Sequence, residues 1–74
     1  MALWKITVKY TGIFNGCRLE KGMFIEMATN GANPIQYISK YKEEIGELFE
    51  NKYGIDMLSA NLVNSGRLDC ERIN

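Results

Sequence analysis

The stretch NPIQYISKYKEEIGELFENKYGI, residues 33–55, decides the fold. Its apolar positions are Ile35, Ile38, Tyr41, Ile45, Leu48 and Phe49. They fall on one stripe of a helix with 3.6 residues per turn, with Ser39, Lys40, Lys42, Glu43, Glu47 and Glu50 on the other faces. Start and stop signals agree with that pattern. Asn33 can accept from the free amides of a first turn, and Pro34 suits the first helical position because its missing N–H costs nothing there. Gly54 can take the left-handed conformation that closes a helix. The spacing therefore predicts one amphipathic helix over 34–53. Gly46 costs it about 1 kcal/mol relative to alanine, so a strand or loop is expected to pass close at that point, a partner contact being the alternative. Glu43, Glu44, Glu47 and Glu50 crowd the negative end of the helix dipole, so burial of the stripe, rather than charge, must hold the helix.

Outward from the helix, residues 3–10 alternate. Trp4, Ile6, Val8 and Tyr10 share one side, Lys5, Thr7 and Lys9 the other, as in a half-buried strand. Residues 23–29 read as a second strand, with Met23, Ile25 and Met27 inward. Phe24, Glu26 and Ala28 then face outward, and Glu26 meets lysine charge across the hairpin. Between these strands Asn15-Gly16 is a hairpin turn signal, set either in an extended hairpin or in a wider loop over the core. Beyond the helix, residues 57–63 read as a third strand with Leu58, Ala60 and Leu62 inward. Asn64-Ser65-Gly66 turns the chain, and residues 67–73 form either a fourth strand or a helical turn capped by Asp69.

The expected fold is thus a single α+β domain over 1–74: a mainly antiparallel sheet of three to four strands, with one helix on one face, in the order ββαβ(β). This order of elements, over most of the chain, resembles the β-grasp of ubiquitin-like domains without their final long strand. The tail Arg72-Ile73-Asn74 lacks the terminal diglycine of the conjugating members, so the resemblance implies no modifier activity. A split βαβ sheet is the other arrangement the order allows.

Composition narrows function more than motifs do. The 74 residues carry nine basic and nine acidic side chains and no histidine. Histidine is the commonest general base and metal ligand, so no catalytic residue, metal site or cofactor is expected. Cys17, beside Arg18, is the one candidate nucleophile, and without a base it reads as a loop cysteine packed on the core. Cys70 reads as a small buried hydrophobe. Two cysteines do not make a zinc site, and the carboxylates of the helix read as a solvated face rather than a cation site. Asn30-Gly31-Ala32-Asn33 leads into a helix but lacks the lysine and glycine spacing of a phosphate cradle. Balanced charge argues against a general nucleic-acid or anionic-membrane binder, although Lys5, Lys9 and Phe24 on a wet sheet face offer a weak RNA or single-stranded DNA surface. No leader pattern and no membrane-spanning run is seen, so the cytosol is the expected compartment, with both thiols reduced.

Association remains. Trp4, Phe14, Phe24, Tyr37 and Tyr53 exceed what one helix can cover, and an apolar patch on a small domain usually meets a partner or a copy of itself. The expected activity is non-catalytic protein contact, with a homodimer favoured. Its candidate surface is Lys5, Lys9, Phe24, Glu26, Trp4 and Tyr37, and no small-molecule substrate is evident.

Overall fold

The computed structural model describes residues 1–74. Six elements follow one another: β1 (Ala2–Val8), β2 (Gly12–Phe14), β3 (Cys17–Leu19), β4 (Phe24–Thr29), α1 (Ile38–Tyr53) and β5 (Leu68–Arg72). β1 is the central strand of a three-stranded sheet of order β4-β1-β5, antiparallel to both neighbours. β4 and β5 therefore run parallel to each other with β1 between them, and α1 connects them. This is the split βαβ arrangement; the β-grasp alternative needs parallel strands side by side, and the sheet has none. Residues 67–73 resolve as a strand rather than a helical turn.

Alternation in β1 does what its sequence implies. Ala2, Trp4, Ile6 and Val8 are buried while Leu3, Lys5, Thr7 and Lys9 stay half-exposed. Tyr10 does not continue the series: β1 stops at Val8 and Tyr10 is 56% exposed. In β4, Ile25, Met27 and Thr29 turn inward. The register sets Lys5 opposite both Glu26 and Glu71.

The Asn15-Gly16 turn closes a tight hairpin between β2 and β3, which pair as a ribbon of their own rather than as an extension of the main sheet. Both turn residues have positive φ, 49° and 84°, as the two-residue turn that matches strand twist requires. The ribbon folds over the core. Leu19 is buried, the Asn15 side-chain amide donates to the Ala60 carbonyl at 2.7 Å, and the Cys17 thiol meets the Asp56 carbonyl at 3.5 Å.

Two elements differ from the sequence expectation. The helix begins at Ile38, not Pro34. Asn33 does cap, its Oδ1 accepting from the Ile35 and Gln36 N–H groups at 2.9 and 3.2 Å, but the turn it opens breaks at Tyr37, with φ −107° and ψ 47°. Pro34 is fully buried and Ile35 packs on the core, and the break lets those two residues turn into the interior before the helix sets its own axis.

The second difference is the span 57–63, which is a turn and not a strand. Asp56 Oδ1 accepts from the Ser59 N–H at 3.1 Å. Asn61 is left-handed, with φ 58°. The Leu62 N–H donates to the Met57 carbonyl at 2.9 Å and the Asn61 N–H to the Leu58 carbonyl at 3.1 Å. Those two bonds around a left-handed residue are the Schellman closure of a helical turn. Met57, Ala60, Leu62 and Val63 go inward and Leu58 outward.

α1, the 56–62 turn and the ribbon together cover one face of the sheet. Ile45 and Phe49 of α1, Ile6 and Val8 of β1, Met57, Leu62 and Leu68 are each at most 1% exposed. Ile38, Tyr41 and Leu48 pack around them, half-buried. The glycine in the helix has its reason here. A Cβ on Gly46 would lie 3.0 Å from the Leu58 Cβ, so the 56–62 turn is the loop that passes close.

Candidate interaction surface

The second face of the sheet carries no element of the fold, and its side chains form rows across the three strands. Ala28 lies beside Leu3, and the Ile73 N–H donates to the Leu3 carbonyl at 2.8 Å, giving an apolar row Ala28–Leu3–Ile73 at one end. The next row is Glu26–Lys5–Glu71, and the next Phe24–Thr7–Asp69. Beyond it Lys9 reaches Asp69 at 3.6 Å and donates to the Ser65 carbonyl at 2.9 Å. Such an exposed pair contributes well under about 1 kcal/mol.

Phe24, the apolar residue on this wet face, is not bare. The Lys52 ammonium sits 3.7 Å from its ring centroid and that of Lys5 4.4 Å away, each in the range of cation–π attraction. Lys5 thus settles on the ring, with no ion pair to Glu26 within 4.0 Å. Lys52 also donates to the Phe24 carbonyl at 2.9 Å. The Tyr53 hydroxyl meets both backbone groups of Phe24, accepting from its N–H at 3.0 Å and lying 3.1 Å from its carbonyl. The last turn of α1 is therefore fastened to the start of β4.

Of the six residues expected on the surface, Lys5, Lys9, Phe24 and Glu26 share this face. Trp4 does not. It lies on the covered face, 7% exposed, where its indole N–H donates to the Thr29 hydroxyl at 2.8 Å. That hydroxyl also accepts from the Gly31 N–H and donates to the Ala32 carbonyl, so the buried polar group is fully used. Alternation with Ile6 and Val8 outweighs the surplus of aromatics in placing this ring. Tyr37 is 58% exposed, at the break before α1 and off the sheet. Phe14 is half-buried beneath the Arg67 guanidinium, 4.0 Å from its ring centroid.

Two other features bear on chemistry. Glu43, Glu47, Glu50 and Asp56 line a groove of ≈ 230 Å³ with Gly46 and Leu58 between α1 and the 56–62 turn. The Ser59 hydroxyl and N–H hold the Asp56 carboxyl below its usual range. No three carboxylates or thiols converge closely enough to share a metal ion. Cys17 and Cys70 are both free thiols; desolvation raises the Cys70 pKa, against a smaller opposing effect of the Ile35 backbone.

The chain belongs to the DUF6140 family. That family is one of unknown function, and its model matches residues 1–70, almost the whole fold. No curated protein and no solved structure matches the chain. What a DUF6140 domain does must therefore be read from its own surface. Sequence reasoning missed Lys52 and Tyr53 as partners of Phe24, because their contact spans the whole helix. It also missed the apolar row, because Leu3, Ala28 and Ile73 become neighbours only once the strand order is known. No helix is long and apolar enough to cross a membrane.

Proposed function

We propose that this domain works by docking onto protein, first of all onto a second copy of itself, with no chemical step of its own. The observation that carries this reading is a sheet covered on one face only and open along both edges. Unpaired backbone on an edge strand is a template for another chain. Exposed Ile73 adds apolar area at one end of the open face, and Tyr10, Ile13 and Tyr37 are exposed elsewhere on the surface. Balanced charge leaves little repulsion between copies. We place the domain in the cytosol, where Cys17 and Cys70 remain thiols.

Size-exclusion chromatography with light scattering at ~100 μM tests the dimer, since a specific self-contact should be populated at that concentration. A mass of two chains is the expected result, and a mass of one chain overturns the self-association. One further reading has its own observation, the Lys5 and Lys52 ammonium groups against Phe24. A basic-aromatic cluster of this kind can hold a single-stranded nucleic acid. Glu26, Asp69 and Glu71 on the same face oppose it. That reading expects binding of a single-stranded oligonucleotide at low salt that Lys5→Glu abolishes; no binding at low salt removes it.

A further inference from the structure

We infer that the edge of β4, and not that of β5, is the self-pairing surface, with two copies joined antiparallel across a two-fold axis at Met27. This rests on the self-association proposed above and specifies its site.

The free backbone groups follow from the ladder. The Val8 N–H donates to the Met23 carbonyl at 2.8 Å. Alternation along an antiparallel pair then turns the N–H and C=O of Phe24, Glu26 and Ala28 away from β1. Tyr53 and Lys52 occupy those of Phe24. Those of Glu26 and Ala28 meet no group of the protein. On the opposite edge, the Lys9 N–H donates to the Arg67 carbonyl and the Ile73 N–H to the Leu3 carbonyl, so the outward groups of β5 belong to Leu68, Cys70 and Arg72, with the Leu68 N–H already spent on the Asn64 carbonyl.

Charge separates the two edges. The Leu68-centred register is blocked, because the Leu68 N–H is spent on Asn64 and residues 65–67 are a turn; a two-fold pairing of β5 through the Cys70 groups then has four registers. They set Asp69 against the partner's Asp69, Asp69 against the partner's Glu71, Glu71 against the partner's Glu71, or Arg72 against the partner's Arg72. Each puts like charges directly opposite, which destabilises a strand pair. β4 has a register free of that cost. Centred on Met27, it sets Glu26 against the partner's Ala28 and Ile25 against the partner's Thr29, using residues of β4 alone. Centred on Glu26, it opposes two carboxylates. Centred on Ala28, it needs Asn30 in line, but the chain has turned there: Gly31 has φ 105° and its N–H donates to the Thr29 hydroxyl.

The Met27 register also fits the fastening at Phe24. The position opposite Phe24 falls to the partner's Asn30, where the partner's chain leaves the sheet. Joined so, two copies form one six-stranded sheet with both helices on the same side, and four backbone hydrogen bonds close the seam. The symmetry is closed, so association stops at two.

Three variants test the register by light scattering and sedimentation at ~100 μM, with circular dichroism to confirm the fold. Ala28 is exposed and its N–H lies outside the β1 ladder, so Ala28→Pro keeps the sheet and removes a seam donor; the dimer should weaken at least tenfold. Ala28→Lys places a cation opposite the partner's Glu26 and should tighten the dimer roughly fivefold, while Ala28→Glu should weaken it by at least as much. Opposite signs for Lys and Glu support the Met27 register. The same sign for both, or a wild-type mass above two chains, overturns it. A dimer that none of the three moves overturns the β4 edge and leaves self-association standing. A wild-type monomer overturns both.

Discussion

α1 and the 56–62 turn are built with the same devices at different lengths. A side-chain oxygen opens the turn leading into α1, at Asn33, and the 56–62 turn, at Asp56, although α1 itself begins after Tyr37 with no side-chain cap. A left-handed residue closes each, Gly54 at φ 71° and Asn61 at φ 58°. Each sends apolar residues into the same core. The helix repeats its pattern over four turns, and the stripe is legible. The short turn runs through its pattern once, and Leu58, Ala60 and Leu62 can then pass for the alternation of a strand. Periodicity needs repetition to be read; capping does not. Asp56 three residues before Ser59, with Asn61 following, was the signal to weigh above the alternation.

That comparison can be broken by substitution. The largest effects lie where both regions fill the core. Phe49→Ala should cost about 3–5 kcal/mol and Leu62→Ala about 2–5 kcal/mol in denaturant unfolding, enough to unfold much of a domain this small. If Leu62→Ala costs under about 1 kcal/mol, the turn is cover rather than core.

Next comes the contact between the two regions. Gly46→Ala improves helix propensity by about 1 kcal/mol but drives its Cβ into Leu58, an overpacking of about 1–3 kcal/mol. A net loss of about 1 kcal/mol is expected. Leu58→Gly removes the Cβ that is met, so the double variant should recover the loss attributable to the clash; additive losses would contradict the close approach.

The closing residues should then diverge. Gly54→Ala should lower stability by about 1 kcal/mol through its positive φ, while Asn61→Gly should change it by only a few tenths, because asparagine already tolerates that conformation. Equal effects at both sites would erase the distinction.

The smallest effect is at Asp56. Its pKa is lowered in the fold, first by the Ser59 hydroxyl and then by the Ser59 N–H. A lowered folded pKa adds stability above the unfolded value, near 3.8, and that stability disappears as pH falls through the folded value. The difference in melting temperature between wild type and Asp56→Asn should therefore be present at pH 7 and fade in acid as the pH falls below the unfolded value and through the lowered folded one. A difference that persists there points to packing instead.

What was legible follows the same logic. The inward set of β1, the Ile25 and Met27 positions of β4, the hairpin at Asn15-Gly16 and the buried heart of the helix at Ile45 and Phe49 all depend on neighbours a few residues apart. Three features do not: the break at Tyr37, set by burial of Pro34 and Ile35; the covering of Phe24 by Lys52 across the helix; and the status of β4 and β5 as edges. An edge is defined by which strand is missing beside it, so the surface proposed for docking depends on strand order, which no local pattern encodes.

The hydroxyl of Tyr53 takes the place that another strand's amide and carbonyl would fill beside Phe24. It acts as a stopper at one end of an open seam. Fraying of the last helical turn would withdraw it and bare two more backbone groups. The length of strand left open at this edge is thus metered by the integrity of a helix end on the other side of the sheet.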